Sequence, residues 1–159
     1  MIERRSGHGH SVPGEGFSLP ELLAVMALLG IAIAIGIPIV NEQVRIAEVR
    51  AAADDLALHL RAARMISVTQ HRPIEFKVFV DPDNAFEYER TKDKAKRYWT
   101  PERVKIAATS DHSILFKQNG SVDVASSIIL ESQVSGATER WTATVSTMGM
   151  ATLVHERVN

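Results

Sequence analysis

The sequence predicts an α+β protein: one long N-terminal helix, membrane-spanning in its first half, packed on an antiparallel all-β head. Three observations carry this. Residues 17–40 form an apolar run with a single charge, Glu21. Residues 41–69 contain no Gly or Pro and space their apolar side chains at helical intervals. Beyond residue 71 the pattern changes to short alternating runs punctuated by turn residues.

Composition bounds the rest. A chain of 159 residues is one ordinary domain with room for an appendage. Eighteen basic and 19 acidic residues give a net charge of −1, which argues against coating nucleic acid through bulk charge. Apolar residues at 45% and charged residues at 23% exclude a disordered chain. The absence of cysteine excludes a disulfide scaffold, a thiolate metal site and a cysteine nucleophile.

The chain divides into a polar leader (1–16), an apolar helix (17–40), an amphipathic continuation (41–70) and a β-rich remainder (71–159). As a helix, residues 17–40 would span about 36 Å, enough for a bilayer core of about 30 Å. Three readings compete for this run: a cleaved secretory signal, a plain signal-anchor, or a more specialised segment. Ala32-Ile33-Ala34 and Ala34-Ile35-Gly36 both fit the small-x-small rule of ordinary cleavage. Glu21 resists the plain readings, because a carboxylate at membrane depth costs about 2.5–3.5 kcal/mol and calls for a partner. Pro20 falls in the first helical turn, where a missing N–H costs nothing. Arg4 and Arg5 place the leader on the cytoplasmic side. His8 and His10 are read as leader residues, not metal ligands.

Gly16-Phe17-Ser18-Leu19-Pro20-Glu21-Leu22-Leu23 resembles the class III signal of type IV pilins and pseudopilins. The resemblance implies that a prepilin peptidase cuts between Gly16 and Phe17 and methylates the new N-terminus at Phe17. Glu21 then becomes the fifth mature residue, which in this family neutralises the N-terminal amine of a neighbouring filament subunit. The physics agrees, since a buried carboxylate needs a countercharge. Pro20 departs from the residue commonest there in the family.

The helix is expected to kink at Pro38 and continue. Val44, Ala47, Ala51, Leu58, Ala62 and Met65 make one stripe, and Val49, Ala52, Leu56, Leu60 and Ala63 a second. So broad an apolar face is expected to pack on a sheet, with Arg50, Asp54 and Arg61 on the polar side.

Strands are predicted at residues 74–80, 86–89, 104–107, 113–117, 122–124, 128–132, 140–146 and 151–156. Asp81-Pro82-Asp83-Asn84, Asn119-Gly120 and Met148-Gly149 mark turns. A long helix followed by a β head resembles the H-type (GspH) minor pseudopilins and the FimT-like minor pilins. The segments Phe116–Ser121 and Val145–Gly149 resemble the mid-domain turn and C-terminal hairpin of that family.

No nucleophile elbow, HExxH, phosphate loop or Cys/His metal spacing is present, so neither an enzyme nor a cofactor is expected. Asp81, Asp83 and Asn84 do not complete a calcium loop and read as a solvated turn. Asn119-Gly120-Ser121 fits a glycosylation sequon but is explained by a tight turn. His59, His71, His112 and His155 are scattered singly and receive no role. Seven cations fall between Arg90 and Lys105, with Tyr98 and Trp99 among them. Lys94, Lys96, Arg97 and Trp99 are therefore candidate nucleic-acid contacts, weighed against a solvated loop. DNA-binding FimT-like proteins carry arginine after the last turn glycine. Gly149-Met150-Ala151-Thr152 has none, which argues against nucleic acid as a partner.

The resemblance implies a minor pseudopilin of a type II secretion system, a single-pass protein of the bacterial inner membrane with its head in the periplasm. Its partners would be other pseudopilins or pilins in a filament, the prepilin peptidase and the inner-membrane assembly platform. Alternatives are a type IV pilus minor pilin, a competence receptor for DNA, and an unrelated anchored β domain.

Overall fold

A computed structural model describes residues 17–92 and 94–158. The leader, with Gly16, lies outside the described residues, as does Asp93. One helix, α1 (Leu19–Thr69), is followed by eight strands: β1 (Ile74–Phe79), β2 (Ala85–Thr91), β3 (Lys94–Trp99), β4 (Lys105–Ile106), β5 (Ser113–Phe116), β6 (Ser126–Val134), β7 (Ala137–Val145) and β8 (Ala151–Val158). The chain forms two compact units, Met1–Pro38 and Ile39–Asn159. The expected kink position, Pro38, is the boundary between them, and the helical assignment runs through it.

In the first unit, α1 is long and apolar enough to cross a membrane by length and composition. The Ser18 carbonyl accepts the first helical bond from the Leu22 N–H, so serine stands at the favoured N-cap position.

In the second unit, two four-stranded antiparallel sheets, ordered β3-β2-β1-β5 and β4-β6-β7-β8, share one core with the helix. Val49, Ala53, Leu56, Leu60 and Ala63 are buried against Phe76, Tyr88, Phe116, Ile128 and Leu130. Alanines at positions 52, 53, 57 and 63 keep the helix surface low where it meets the strands. Of the two apolar stripes expected to pack, only the second is buried. Val44, Ala47, Ala51, Leu58 and Met65 stay exposed, and Ala62 is half-buried. A helix lying on sheets buries an arc of about 100° or somewhat more, too narrow for both stripes.

β1 buries Ile74, Phe76 and Val78 and exposes Glu75 and Lys77, the alternation its sequence predicts. Three strand expectations are corrected. Residues 94–99 form β3, paired antiparallel with β2 across a register shift between Glu89 and Thr91, where a loop was the competing reading. Val122–Val124 is not a strand; the Val122 N–H bonds instead to the Thr147 carbonyl. β6 and β7 run further than expected, to a two-residue hairpin at Ser135 and Gly136, both at positive φ, as a type I′ turn requires.

Two residues past the helix end at Thr69, His71 takes a left-handed φ of 49°, while the Arg72 N–H reaches back to the Ser67 carbonyl. That six-to-one closure satisfies a terminal carbonyl without glycine.

Candidate functional site

Phe17 precedes the helix and Glu21 occupies its first turn, where a carboxylate complements the helix dipole. Both side chains are exposed within this chain.

The four nucleic-acid candidates do not form one patch. Along β3, side chains alternate between faces. Lys94 and Lys96 share a face with Tyr98, and Lys96 sits 5.0 Å from the Tyr98 ring centre. Arg97 and Trp99 lie on the other face. There Arg97 stacks 4.0 Å from the Phe79 ring centre and donates to Glu87 at 3.3 Å. The strand thus splits the cluster, and two of its four members, Lys96 and Arg97, already lie over rings of this chain.

The expected turn at 81–84 is present, with a cis Asp81–Pro82 peptide. Asn84 holds more than the turn. Its side-chain oxygen accepts the Ile106 N–H at 2.8 Å, and its carbonyl accepts the Thr100 N–H and hydroxyl. This ties the β1–β2 turn to β4 of the other sheet. The Asn84 oxygen expected to be free in solvent is therefore occupied. Beside it, the hydrogen bond from Asn84 holds the Asp81 carboxyl below its ordinary value, helped by Lys105. At 119–121 the Asn119 side chain accepts from both the Ser121 N–H and hydroxyl, the tight turn expected there.

Two of the four histidines left without a role, His59 and His155, are engaged. His59 Nδ1 lies 2.8 Å from the Tyr88 hydroxyl, and its ring centre is 4.0 Å from that of Tyr98. Phe76, Phe86, Tyr88 and Tyr98 stack beside it at 5.4–5.8 Å. Burial lowers the His59 pKa from 6.5; Asp55 opposes this, while Arg90 and Lys96 add to it. Burial also pushes the Tyr88 hydroxyl up to about 12. On the second sheet, Glu139 is fully buried. It is held by His155 at 2.6 Å and Arg157 at 3.3 Å, and Arg157 also reaches Glu42 of α1 at 3.7 Å. A buried carboxylate is tolerable only with such compensation. Sequence periodicity places Glu139 on the apolar face of β7, in step with Ala137, Ala143 and Val145.

The two short segments that carried the family resemblance within the head meet in space. Lys117–Ser121 and Ser146–Met150 are turns of one type, each closed by a glycine at positive φ. In each, the glycine N–H bonds back three residues and the first residue bonds forward to the fifth. The Gly120 carbonyl lies against Gly149 so closely that a Cβ on Gly149 would collide with it. Arg64 Nε of α1 donates to the same carbonyl at 3.2 Å. Helix and both turns are thereby joined at one point.

Residues 52–149, more than half the chain, match the family described as Type II transport protein GspH. The chain belongs to the GspH family. The family match ends on Gly149, the glycine packed against Gly120. Among solved structures, this GspH-family chain is similar to the type IV minor pilin FimU of Pseudomonas aeruginosa strain PAO1. Identity is 14%, covering 69% of this chain and 89% of that one, with a TM-score of 0.52. It is also similar to the minor pseudopilin EpsH of the Vibrio cholerae Type 2 Secretion System. There identity is 11% over 68% of this chain and 97% of that one, with a TM-score of 0.54. At these identities the likeness is one of fold: a pilin-like helix on antiparallel sheets. No curated protein matches in sequence. Family membership makes this a minor pilin-like protein that assembles with other pilins.

Proposed function

We propose that this chain is a minor pseudopilin, a structural subunit of the periplasmic filament of a type II secretion system. One observation carries the reading. A GspH-family head is joined to a bilayer-length apolar helix whose first turn holds a single carboxylate, Glu21. The prepilin peptidase removes residues 1–16 and methylates Phe17. The mature helix rests in the bacterial inner membrane with the head in the periplasm. The assembly platform extracts it, and Glu21 compensates the Phe17 amine of a neighbour as both leave water. The protein acts by assembly and carries out no reaction.

The test is the intact mass and N-terminal sequence of the protein extracted from native membranes. The expected product begins at N-methylated Phe17. A product beginning at Met1, or near Ile35 or Ile37, overturns the reading. Deletion of the gene then separates two systems: loss of exoprotein secretion supports the secretion filament, and loss of surface pili instead assigns the chain to a type IV pilus.

A further inference from the structure

Two four-stranded sheets have four edges, and three of them are blunted. β4 is two residues long and β5 four. β3 carries Lys94, Lys96 and Arg97, and charge on an edge strand resists further pairing. β8 differs. It is eight residues long, and its first half, Ala151-Thr152-Leu153-Val154, has neither charge nor proline. Among the described residues, its backbone bonds to no strand but β7. In an antiparallel ladder alternate residues point their N–H and C=O outward. The Ser146 N–H bonds to the Met150 carbonyl, so the outward residues are Ala151, Leu153 and His155.

Beside this edge runs a groove of about 610 Å³, between the last turns of α1 and the start of β8. Its apolar lining includes Met65, Val68 and Met150, all exposed. Its charged lining is Arg61 and Arg64, and neither enters an ion pair among the described residues. The groove therefore offers an apolar floor, two guanidinium groups and a row of unused backbone groups. That combination fits an extended segment that pairs with β8 and presents a carboxylate to the arginines. The charged β3 edge of a second copy is a poor occupant, because it would bring lysines against Arg61 and Arg64.

We infer that β8 and the adjoining groove dock an extended, carboxylate-bearing segment of a different chain, which adds a fifth strand to the second sheet. This rests on the filament reading above, in which that chain is a neighbouring pilin-type subunit.

The experiment places the photo-cross-linking residue p-benzoylphenylalanine at Thr152, at Val154 or, as a control, at Lys96. The full chain is expressed in its native host and its partners are identified by peptide mapping. The expected result is that Thr152 and Val154 cross-link to one short segment of another pilin-type subunit, at sites two residues apart. Arg61→Glu and Met65→Glu, both at exposed positions, should each lower that yield about tenfold by opposing the bound carboxylate. Cross-links no stronger than those from Lys96 overturn the proposal. So do cross-links scattered over unrelated segments, cross-links to a second copy or to lipid, and a yield indifferent to both variants. The N-terminus of the same samples is sequenced. Processing at Phe17 without the β8 cross-link sinks this inference and leaves the filament reading standing. A chain that still begins at Met1 sinks the filament reading itself.

Discussion

Gly149 is a residue whose side chain is a missing atom. Its φ of 75° is left-handed, and its Cα faces the Gly120 carbonyl. Gly149→Ala should cost about 2–5 kcal/mol, from about 1–2 for the left-handed backbone and about 1–3 for overpacking. Gly136 has a similar φ of 84° but open space around it, so Gly136→Ala should cost only the backbone share, about 1–2 kcal/mol. Chemical denaturation of the two variants in detergent measures the difference, and equal losses would contradict the packing argument. His59 makes a second prediction. Its folded pKa lies below 6.5, so as pH falls the unfolded chain takes up the proton first. The stability His59 contributes is complete above 6.5 and drains away as pH falls towards the lowered folded value. His59→Gln should therefore flatten the decline of the thermal midpoint between about pH 7 and about pH 5. A decline unchanged by that substitution would assign it to other groups. Neither residue's role was legible in the sequence. A turn glycine announces its φ but not what faces its Cα, and a lone histidine announces nothing about the ring above it.

At the scale of elements, α1 was legible in type and extent, because neither Gly nor Pro interrupts residues 41–69 and apolar spacing is helical. Which of its two stripes is buried was not. Both have helical period, and only the width of the contact with the sheets chooses between them. The choice has a measurable consequence. Ala57→Leu adds bulk where the helix meets the strands and should cost about 1–3 kcal/mol. Ala51→Leu, on the exposed stripe, should stay within about 0.5 kcal/mol. Equal effects in equilibrium unfolding would mean that the stripes are misassigned. β1 was legible from strict alternation. β3 was not, because the alternation of Lys94-Ala95-Lys96 breaks at Arg97 and is not sustained through Trp99. An edge strand half in solvent is held by backbone pairing, and its basic side chains are divided between its two faces.

At the scale of the whole molecule, the chain's two units divide at Pro38, and every member of the buried core lies at Val49 or beyond. A chain beginning at Ile39 should therefore unfold cooperatively, with the midpoint of the full protein in detergent. A large loss of stability would show that the apolar unit supports the head. The sequence by itself determined the order of the parts. An apolar run of 24 residues is a helix of bilayer length, a Gly/Pro-free amphipathic stretch is a helix, and period-two runs between turn residues are strands. These are local properties, fixed by backbone geometry and side-chain periodicity. Tertiary structure alone decided which helix stripe meets the sheets, that the Gly120 and Gly149 turns share one contact with Arg64, and that β8 runs beside Arg61 and Arg64, which enter no ion pair among the described residues. Each of those depends on distances between residues far apart in the chain, and no local pattern encodes such a distance.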